Sequence, residues 1–278
     1  MNIVELFAGD RSIGKIADKE NYNVFSVDWQ KFDKIDLSID IEWMRPSDVP
    51  FVPDMVWASF DCTTYTIAAI SHHRRNRTEP FSEYAKKCDR VNQHVIAMID
   101  YWLAQNPNMI FWFENPRGML RHMPFMKRFT RHTVWYCQYG DDRAKPTDIW
   151  TNSGSWIPKP MCRNYKYNKI TGEIIDKHCH HASARRGAKT GTQGRKGSFE
   201  RSKIPTELCA EIMEATKNDL RIEIYTFFER KRLTKMFLKY KKNILKIRAF
   251  YSLAKNKSLV DKKSRCLIIN CLHKNCLG

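Results

Sequence analysis

The stretch NIVELFAGDRSIGKIADKENYNVFSVD, residues 2–28, contains the pattern that decides the fold. Its first five residues form a short apolar run that predicts a strand, and the small residues that follow predict a turn. Helix-forming residues come next, with Ser12 in the position of an N-cap. A second apolar run, 23–27, predicts another strand, which ends at Asp28. Strand, helix and strand in this order form a βαβ unit with two parallel strands.

The same alternation continues along the chain. Residues 54–59 and 109–113 are short apolar runs typical of buried strands. Residues 82–105 lie between them and place six side chains on one helical face: Ala85, Cys88, Val91, Val95, Ile99 and Trp102. This alternation favours a Rossmann-like α/β fold with a mostly parallel sheet and helices on both faces. Because ligands of such sheets bind at the carboxyl ends of the strands, we expect site residues there.

The first turn has features of a nucleoside-binding loop, although ordinary βαβ turns share some of them. Gly9 lets the backbone approach a ligand, and the N-terminus of the next helix offers N–H groups to an anion. Asp28 ends the second strand, where a carboxylate can bind ribose hydroxyls, and Trp29 beside it can cover an adenine ring. The turn lacks a G-x-G-x-x-G pattern, which disfavours a dehydrogenase and favours S-adenosylmethionine, a cofactor without a pyrophosphate.

The composition excludes several classes of protein. Hydrophobic residues make up 42% and charged residues 28%, which is typical of a globular chain of one catalytic domain with a modest addition. No apolar run approaches the roughly 18 residues of a membrane span, and the first residues lack the pattern of a signal peptide. We therefore expect a cytoplasmic protein that does not bind membranes, with its nine cysteines reduced.

The formal net charge of +18 predicts a polyanionic partner, and nucleic acid is the leading candidate. The excess is concentrated in residues 219–278, where 16 Lys and Arg stand against 4 Asp and Glu. Two interpretations of this basic tail stay open. It either contacts nucleic acid or forms a solvated, Lys-rich helical surface.

Five short motifs occur in an order that resembles the DNA cytosine-5 methyltransferases, most closely the short forms encoded by phages and prophages. The motifs are Glu5–Gly9 (ELFAG), Ser26–Trp29 (SVDW), Ala58–Cys62 (ASFDC), Phe113–Pro116 (FENP) and Gln138–Gly140 (QYG). The resemblance extends through residues 201–205 and covers residues 2–216 of the chain. Several ordered matches are more specific than any one of them alone.

The resemblance implies a reaction and a set of site residues. In this family a cysteine attacks C6 of a flipped-out cytosine, so that C5 can take a methyl group from S-adenosylmethionine. Cys62 occupies the place of that cysteine, Glu114 that of the glutamate that contacts the base, and Arg143 that of an arginine near the base. The resemblance assigns six residues to the cofactor site: Phe7, Gly9, Asp28, Trp29, Asp40 and Ser59.

The chain departs from the family pattern at two places. Phe60 and Asp61 stand where two prolines usually precede the cysteine, and Arg11 replaces the second glycine of the first loop. Prolines would stiffen the catalytic loop, and a carboxylate beside a thiol disfavours the thiolate. These departures keep open a non-catalytic DNA-binding protein with the same fold. An RNA cytosine-5 methyltransferase, with the same nucleophile and glutamate, is the other alternative.

We predict four parts of the chain: a catalytic domain (1–150), a small loop-rich recognition segment (151–203), a closing helix (204–218) and a basic extension (219–278). The recognition segment is short compared with that of full-length relatives. Two basic loops are candidate contacts to double-stranded DNA, and they contain Arg74, Arg75, Arg185, Arg186 and Arg195. We expect a monomer.

Zinc is a further possibility in the recognition segment. Its side chains of suitable type are Cys162, Cys179, His180 and His181. Their spacing lacks the C-x2-C pair typical of structural zinc sites, so we predict no metal site.

Overall fold

The computed structural model describes residues 1–162, 165–167, 170–171, 174–177 and 197–256. The described strands are β1 (Asn2–Leu6), β2 (Asn23–Asp28), β3 (Leu37–Ser38), β4 (Met55–Ser59), β5 (Arg74–Arg75), β6 (Glu79–Pro80), β7 (Ile110–Pro116), β8 (Arg131–Trp135), β9 (Pro146–Thr151), β10 (Tyr165–Tyr167) and β11 (Ile174–Lys177). The described α-helices are α1 (Gly14–Lys19), α2 (Ile70–His73), α3 (Glu83–Gln105), α4 (Ser198–Ser202) and α5 (Thr206–Asn256). Short 3-10 helices span Ile41–Trp43, Pro46–Asp48, Met119–His122, Pro124–Met126 and Tyr136–Tyr139.

Seven strands form the main sheet, in the order β3-β2-β1-β4-β7-β9-β8. Every pair from β3 to β7 is parallel, whereas β9 runs antiparallel to both β7 and β8. The predicted α/β class with a mostly parallel sheet is confirmed. The chain leaves β1 towards β2 on one side and reaches β4 on the other, which makes the β1–β4 boundary a switch point where ligands bind in sheets of this type.

The sheet is covered by apolar clusters that use different side chains of the same strands. Val4, Val56 and Phe113 belong to a cluster with the apolar face of α3, whereas Ile3 and Trp57 belong to a second cluster with α1 and the first turns of α5. Alternate residues of a strand point to opposite faces, so neighbouring residues enter different clusters. Both faces of the sheet are therefore buried, as the continuous apolar runs predicted.

The start of α1 differs from the prediction. Ser12 was expected to cap this helix, but α1 begins at Gly14, with Ile13 in the N-cap position and no side-chain cap from that residue. The carboxylate of Glu5 in β1 accepts hydrogen bonds from the backbone N–H groups of Ile13, at 2.9 Å, and Gly14, at 3.1 Å. A buried carboxylate from the sheet thus takes the place of a local cap.

The predicted helix over 82–105 is confirmed as α3. Ser82 is its N-cap, and the Ser82 hydroxyl accepts a hydrogen bond from the Ala85 N–H at 3.1 Å. All six residues predicted on one face are buried. The helix packs along the β4–β7 side of the sheet and fixes the segment that follows β4.

The chain divides into two compact units, 1–222 and 223–278. In the first unit, the start of α5 lies within the predicted closing helix (204–218), and its apolar side chains Leu208, Ile212 and Ala215 are buried. In the second unit, the described residues are helical, and the side chains described over 231–246 are exposed except that of Ile244, which is partly buried. Across the part of the chain that the structure describes, no helix combines the length and apolar character needed to cross a membrane.

Candidate active site

Two loops meet at the switch point of the sheet. The first follows β1 and contains Phe7 and Gly9, and the second follows β4 and contains Phe60 and Cys62. The rings of Phe7 and Phe60 pack edge to face with centroids 6.0 Å apart, and the Phe60 ring lies 5.0 Å from that of Phe113 in β7. The predicted cofactor loop and the predicted nucleophile loop are therefore packed against each other.

The backbone of Phe60 is fixed to β7 on both sides. Ser59 pairs with Glu114 in the parallel register of β4 and β7. The Phe60 N–H donates to the Glu114 carbonyl at 3.1 Å, and the Asn115 side-chain amide donates to the Phe60 carbonyl at 2.8 Å. These bonds fix the loop two residues before Cys62 and bring it to the strand end that carries Glu114.

Asp61 is also held in place. Its carboxylate accepts a hydrogen bond from the Thr63 N–H at 2.7 Å and another from the hydroxyl of Tyr84 in α3. Further along the loop, the buried guanidinium of Arg74 binds the Thr64 carbonyl at 2.9 Å. Hydrogen bonds and ring packing thus constrain this loop, whereas prolines at these positions would constrain it by fixing the backbone dihedral φ.

The Cys62 thiol is held in its protonated form. Burial is the main cause that raises its pKa to about 11, and the charges of Asp61 and Glu114 raise it further. The charge of Lys145 acts in the opposite direction. A nucleophilic thiolate at this position therefore needs a nearby cation or the loss of negative charge.

Glu114 is buried at the end of β7, and burial raises the pKa of its carboxyl group. Three neighbours lower it: the charge of Lys145, a hydrogen bond from the Tyr136 hydroxyl to Oε1 at 3.0 Å, and a hydrogen bond with Ser59. A raised pKa favours the protonated carboxyl, which can donate a proton to a base in the pocket.

Lys145 is a site residue that the sequence analysis missed. It precedes β9, its ammonium donates to the Arg201 carbonyl at 3.2 Å and lies 4.7 Å from the centre of the Tyr136 ring. Burial lowers its pKa, whereas Glu114 and Cys62 are among the groups that raise it. Lys145 is therefore electrostatically coupled to both predicted catalytic residues. The signal that could have found it is its position two residues after the predicted Arg143.

Arg143 has a different environment. Its side chain is 2% exposed, and its guanidinium binds the Asp141 carboxylate and the carbonyls of Arg201, at 3.1 Å, and Lys203, at 3.0 Å. These contacts tie the segment before α5 to the β8–β9 connection. The hydrogen bonds of Arg143 are thus made within the protein, whereas the charge of Lys145 acts on both Cys62 and Glu114.

The predicted cofactor residues lie around the end of β1. Asp28 accepts hydrogen bonds from the Gly9 N–H at 3.0 Å and the Gln30 N–H at 2.9 Å, and Trp29 beside it is 70% exposed. Asp40 accepts from the Glu42 N–H at 3.1 Å and binds the ammonium of Lys87. Ser59 lies nearer to Glu114, and its hydroxyl oxygen accepts from the Trp57 indole at 2.9 Å.

Arg11 adopts the backbone conformation that a glycine would favour at its position, with φ of 53°. Its side chain is buried and turned inward. The guanidinium donates to the Ser26 hydroxyl at 2.9 Å and forms two bonds with Asp18, at 3.0 and 3.3 Å. Arg11 is therefore accommodated in the turn, with its side chain directed towards β2 and α1 rather than into the first loop.

Nearby, Glu5 is an ionisable group with an unusual environment. Burial raises the pKa of its carboxyl group to about 7, against hydrogen bonds from the N–H groups of Ile13 and Gly14 and the charge of Arg11. Two N–H groups at the start of α1, which the sequence analysis expected to face an anionic ligand, are therefore bound by Glu5.

The two arginines predicted to contact DNA after the catalytic loop have opposite environments. Arg74 is 4% exposed and forms an ion pair with Asp89 of α3, with a closest distance of 2.7 Å, while its guanidinium lies 4.2 Å from the centre of the Tyr65 ring. Arg75 is exposed, as is Arg77 at the tip of the β5–β6 hairpin. Arg74 thus anchors the hairpin, and its neighbours face solvent.

Other predicted residues lie outside the described part of the chain: Arg185, Arg186, Arg195, Cys179, His180 and His181. Within the described ranges, no group of three or more His, Cys, Asp or Glu side chains is arranged to hold a metal ion.

Comparison with known proteins finds similarity to solved structures only. No protein-family model and no curated protein matches the chain. A protein described as a DNA modification methyltransferase encoded within a prophage (E. coli) is 12% identical, with a TM-score of 0.39 over 58% of this chain and 52% of that chain. The Dnmt2 methyltransferase of S. pombe is 12% identical, with a TM-score of 0.36 over 54% and 50%. The chain therefore spans about half the length of each structure.

Proposed function

We propose that the protein is a DNA cytosine-5 methyltransferase that uses S-adenosylmethionine, with Cys62 as nucleophile and Glu114 as acid. The pairing of Ser59 with Glu114 carries the proposal, because it brings the loop of Cys62 and the carboxyl group to the same edge of the sheet. The charges of Cys62 and Glu114 are coupled to each other and to Lys145. A thiol, a protonated carboxyl and a cation are the groups that addition to a pyrimidine ring requires.

Cys62 and Glu114 have complementary roles in this reaction. Cys62 loses its proton to solvent, and its sulfur forms a bond to C6 of cytosine, while Glu114 donates a proton or hydrogen bond to N3. The electron pair of the C5–C6 double bond becomes available at C5, which takes the methyl group. C5 then loses its proton to water, and the electron pair of that C–H bond re-forms the C5–C6 double bond as the bond between sulfur and C6 breaks. N3 returns its proton to Glu114, which regenerates the Cys62 thiolate, the acid and the aromatic base.

Lys145 supports both residues by charge. A cation stabilises a thiolate at Cys62 before attack and the carboxylate of Glu114 after proton transfer. Its position over the Tyr136 ring and its bond to the Arg201 carbonyl keep the ammonium near the pocket. We assign Lys145 the place near the base that the resemblance gave to Arg143, with an electrostatic role there.

The residues at the end of β1 suit a nucleoside cofactor. Asp28 is a buried carboxylate that binds the N–H of the Gly9 turn, and Trp29 presents a ring that is 70% exposed. Asp28 would hold ribose hydroxyls, Trp29 would cover the adenine, and Phe7, Asp40 and Ser59 would complete the site. When bound, S-adenosylmethionine supplies the methyl group as an electrophile. The chain itself contributes the packing of Phe7 on Phe60, which sets the cofactor loop against the nucleophile loop.

The substrate side of the proposal is double-stranded DNA. A cytosine within a duplex must leave the stack before Cys62 can reach C6. Arg75 and Arg77 are exposed on a hairpin that Arg74 anchors, and we infer that they bind phosphates near the flipped base. The basic second unit would add affinity that does not depend on sequence.

A methyl-transfer assay tests the proposal. The full chain is incubated with tritiated S-adenosylmethionine and unmodified duplex DNA, and the product is analysed for 5-methylcytosine. We expect incorporation by the wild type and none by Cys62→Ala. Cys88→Ala is the matched control, because the pKa of the Cys88 thiol is likewise raised to about 11, but Cys88 is buried in the core on α3. This control should retain activity.

Parallel reactions separate the alternatives. Incorporation into RNA but not DNA would assign the RNA substrate. Binding of cofactor and DNA without incorporation, and without covalent trapping on DNA that contains 5-fluorocytosine, would identify a non-catalytic DNA-binding protein. Equal loss of activity in Cys62→Ala and Cys88→Ala would contradict the specific role of Cys62.

A further inference from the structure

Tyr136 is a buried tyrosine that contacts the proposed acid. It begins the 3-10 helix Tyr136–Tyr139, and its side chain is fully buried. Its hydroxyl donates a hydrogen bond to Oε1 of Glu114 at 3.0 Å. This residue lies outside the motifs that the sequence analysis used, and the proposed reaction has so far given it no role.

The other contacts of Glu114 restrict its carboxyl group further. The Trp57 indole N–H donates to the Ser59 hydroxyl oxygen at 2.9 Å, which leaves the hydroxyl hydrogen of Ser59 free to bind Glu114. Lys145 lies on the face of the Tyr136 ring, with its ammonium 4.7 Å from the ring centre. Tyrosine, serine and lysine thus surround a buried carboxyl group that burial alone would leave poorly solvated.

From these contacts we propose that Tyr136 is a positioning residue for the reaction. Because its hydroxyl donates a hydrogen bond to Oε1 of Glu114, Oε1 acts as an acceptor and the proton donated to cytosine resides on Oε2. The inference rests on the proposed function, because it explains how the acid is oriented in that reaction.

The same hydrogen bond has a second effect. After Glu114 has donated its proton, a carboxylate remains in a buried site, and an O–H donor stabilises this charged form. Removal of the donor would raise the pKa of Glu114, so the acid would hold its proton more strongly. The hydrogen bond from Tyr136 therefore lowers the pKa of Glu114, in opposition to the effect of burial.

The test compares Tyr136→Phe with Tyr139→Phe. Tyr139 is an appropriate control because it is also buried and its hydroxyl also donates to a glutamate, Glu211, at 3.0 Å. Both substitutions delete one hydrogen bond from a buried tyrosine to a glutamate, and Tyr139→Phe also removes the acceptor of the Lys159 N–H at 2.9 Å. Both variants should therefore lose thermal stability. Only Tyr136→Phe should change the chemistry.

We expect Tyr136→Phe to lower kcat by about ten- to a hundredfold, the range for a hydrogen bond to a charged group, with KM for DNA unchanged. The limb of the kcat–pH profile that Glu114 controls should move to higher pH. In the Glu114→Gln background the same substitution should have little further effect, because the two residues act together. Tyr139→Phe should retain the wild-type kcat and pH profile.

A titration of the protein alone separates this inference from the proposed function. The Glu114 carboxyl is followed by carbon NMR in the wild type and both variants, and its pKa should rise only in Tyr136→Phe. A wild type without methyl transfer would refute the reaction and, with it, the positioning role. An active wild type whose Tyr136→Phe variant matches Tyr139→Phe in kcat, pH profile and Glu114 titration would overturn the inference alone.

Discussion

Replacement of Asp61 by Asn tests the electrostatic account of Cys62. The thiol has a pKa of about 11, which burial raises first and the charge of Asp61 second. At pH 8 a thiol with this pKa is ionised to about one part in a thousand. We expect Asp61→Asn to lower the pKa by about one unit, which increases the thiolate population roughly tenfold.

The rate of alkylation measures this change. Thiolate nucleophilicity falls with thiol pKa, by about a factor of three for one unit, so the net acceleration at pH 8 is expected to be roughly threefold. Iodoacetamide labelling of the Cys62 peptide is followed by mass spectrometry between pH 7.5 and 9.5. Peptide resolution matters because the pKa of the buried Cys88 is also raised to about 11, partly by Asp61.

Asp61→Glu is the control, since it retains a negative charge beside the thiol. It should alkylate at nearly the wild-type rate. The reasoning fails if Asp61→Asn and Asp61→Glu label Cys62 equally fast, because the thiol would then respond to loop geometry rather than to charge. The hydrogen bond from the Thr63 N–H, at 2.7 Å, can persist in Asp61→Asn, since an Asn side-chain oxygen can still accept it.

Four further predictions follow from the described contacts. Lys145→Met should reduce single-turnover methyl transfer by about a hundredfold, with partial retention in Lys145→Arg. The carboxyl group of Glu5 has a pKa near 7 in the folded state, above its ordinary 4.5, so its contribution to stability is present below pH 4.5 and is lost as pH rises to 7. In urea unfolding, the unfolding free energy of Glu5→Gln relative to wild type should therefore rise by about 3 kcal/mol between these pH values. Arg74→Ala should cost about 3–5 kcal/mol of unfolding free energy, because it removes the cation paired with the Asp89 carboxylate and leaves that group with the hydrogen bond from the Tyr65 hydroxyl. Arg75→Ala should change the unfolding free energy by less than about 0.5 kcal/mol and weaken DNA binding. Neutralising four exposed lysines of the second unit should reduce the slope of log affinity for DNA against log salt concentration by up to about 4. The four are Lys231, Lys235, Lys239 and Lys242, and Lys→Arg replacements at the same positions should leave the slope unchanged.

The parallel half of the fold could be predicted because its signals are local. Apolar runs of strand length alternate with an amphipathic helix, and residues that follow parallel strands meet at one edge of the sheet. Cys62 and Glu114 could therefore be placed near each other from their positions after β4 and at the end of β7. The register that pairs Ser59 with Glu114 gives this expectation its structural basis.

Strand β9 could not be predicted in the same way. Its sequence, PTDIWT, begins with Pro146 and contains Asp148, a residue that is rare in buried strands. Asp148 is fully buried because Arg121 and the Thr133 hydroxyl bind its carboxylate. Both partners come from other elements, so only the folded structure explains how an acid is accommodated in the centre of the β7–β9–β8 arrangement.

Lys145 and Tyr136 were missed for a related reason. Each reaches Glu114 through the β8–β9 connection, and the antiparallel strand β9 brings that connection back to β7. From charge alone, the sequence could not show that Lys145 rather than Arg143 lies near Glu114, or that Arg75 is exposed whereas Arg74 is buried. The difference lies in which side chain finds an internal partner, and that depends on tertiary contacts such as the ion pair of Arg74 with Asp89.

Arg11 and Phe60, the residues at two departures from the resemblance, are both held by tertiary contacts. Arg11 takes a left-handed conformation with φ of 53°, and the contacts of its side chain with Ser26 and Asp18 stabilise this conformation. Phe60 lacks the rigidity of proline, yet β7 binds both its N–H and its carbonyl, and Phe113 packs on its ring. Stiffness in this loop thus comes from tertiary contacts rather than from residue type. The lack of prolines before Cys62 therefore does not by itself predict a mobile loop, and Asp61 acts on the Cys62 thiol by raising its pKa.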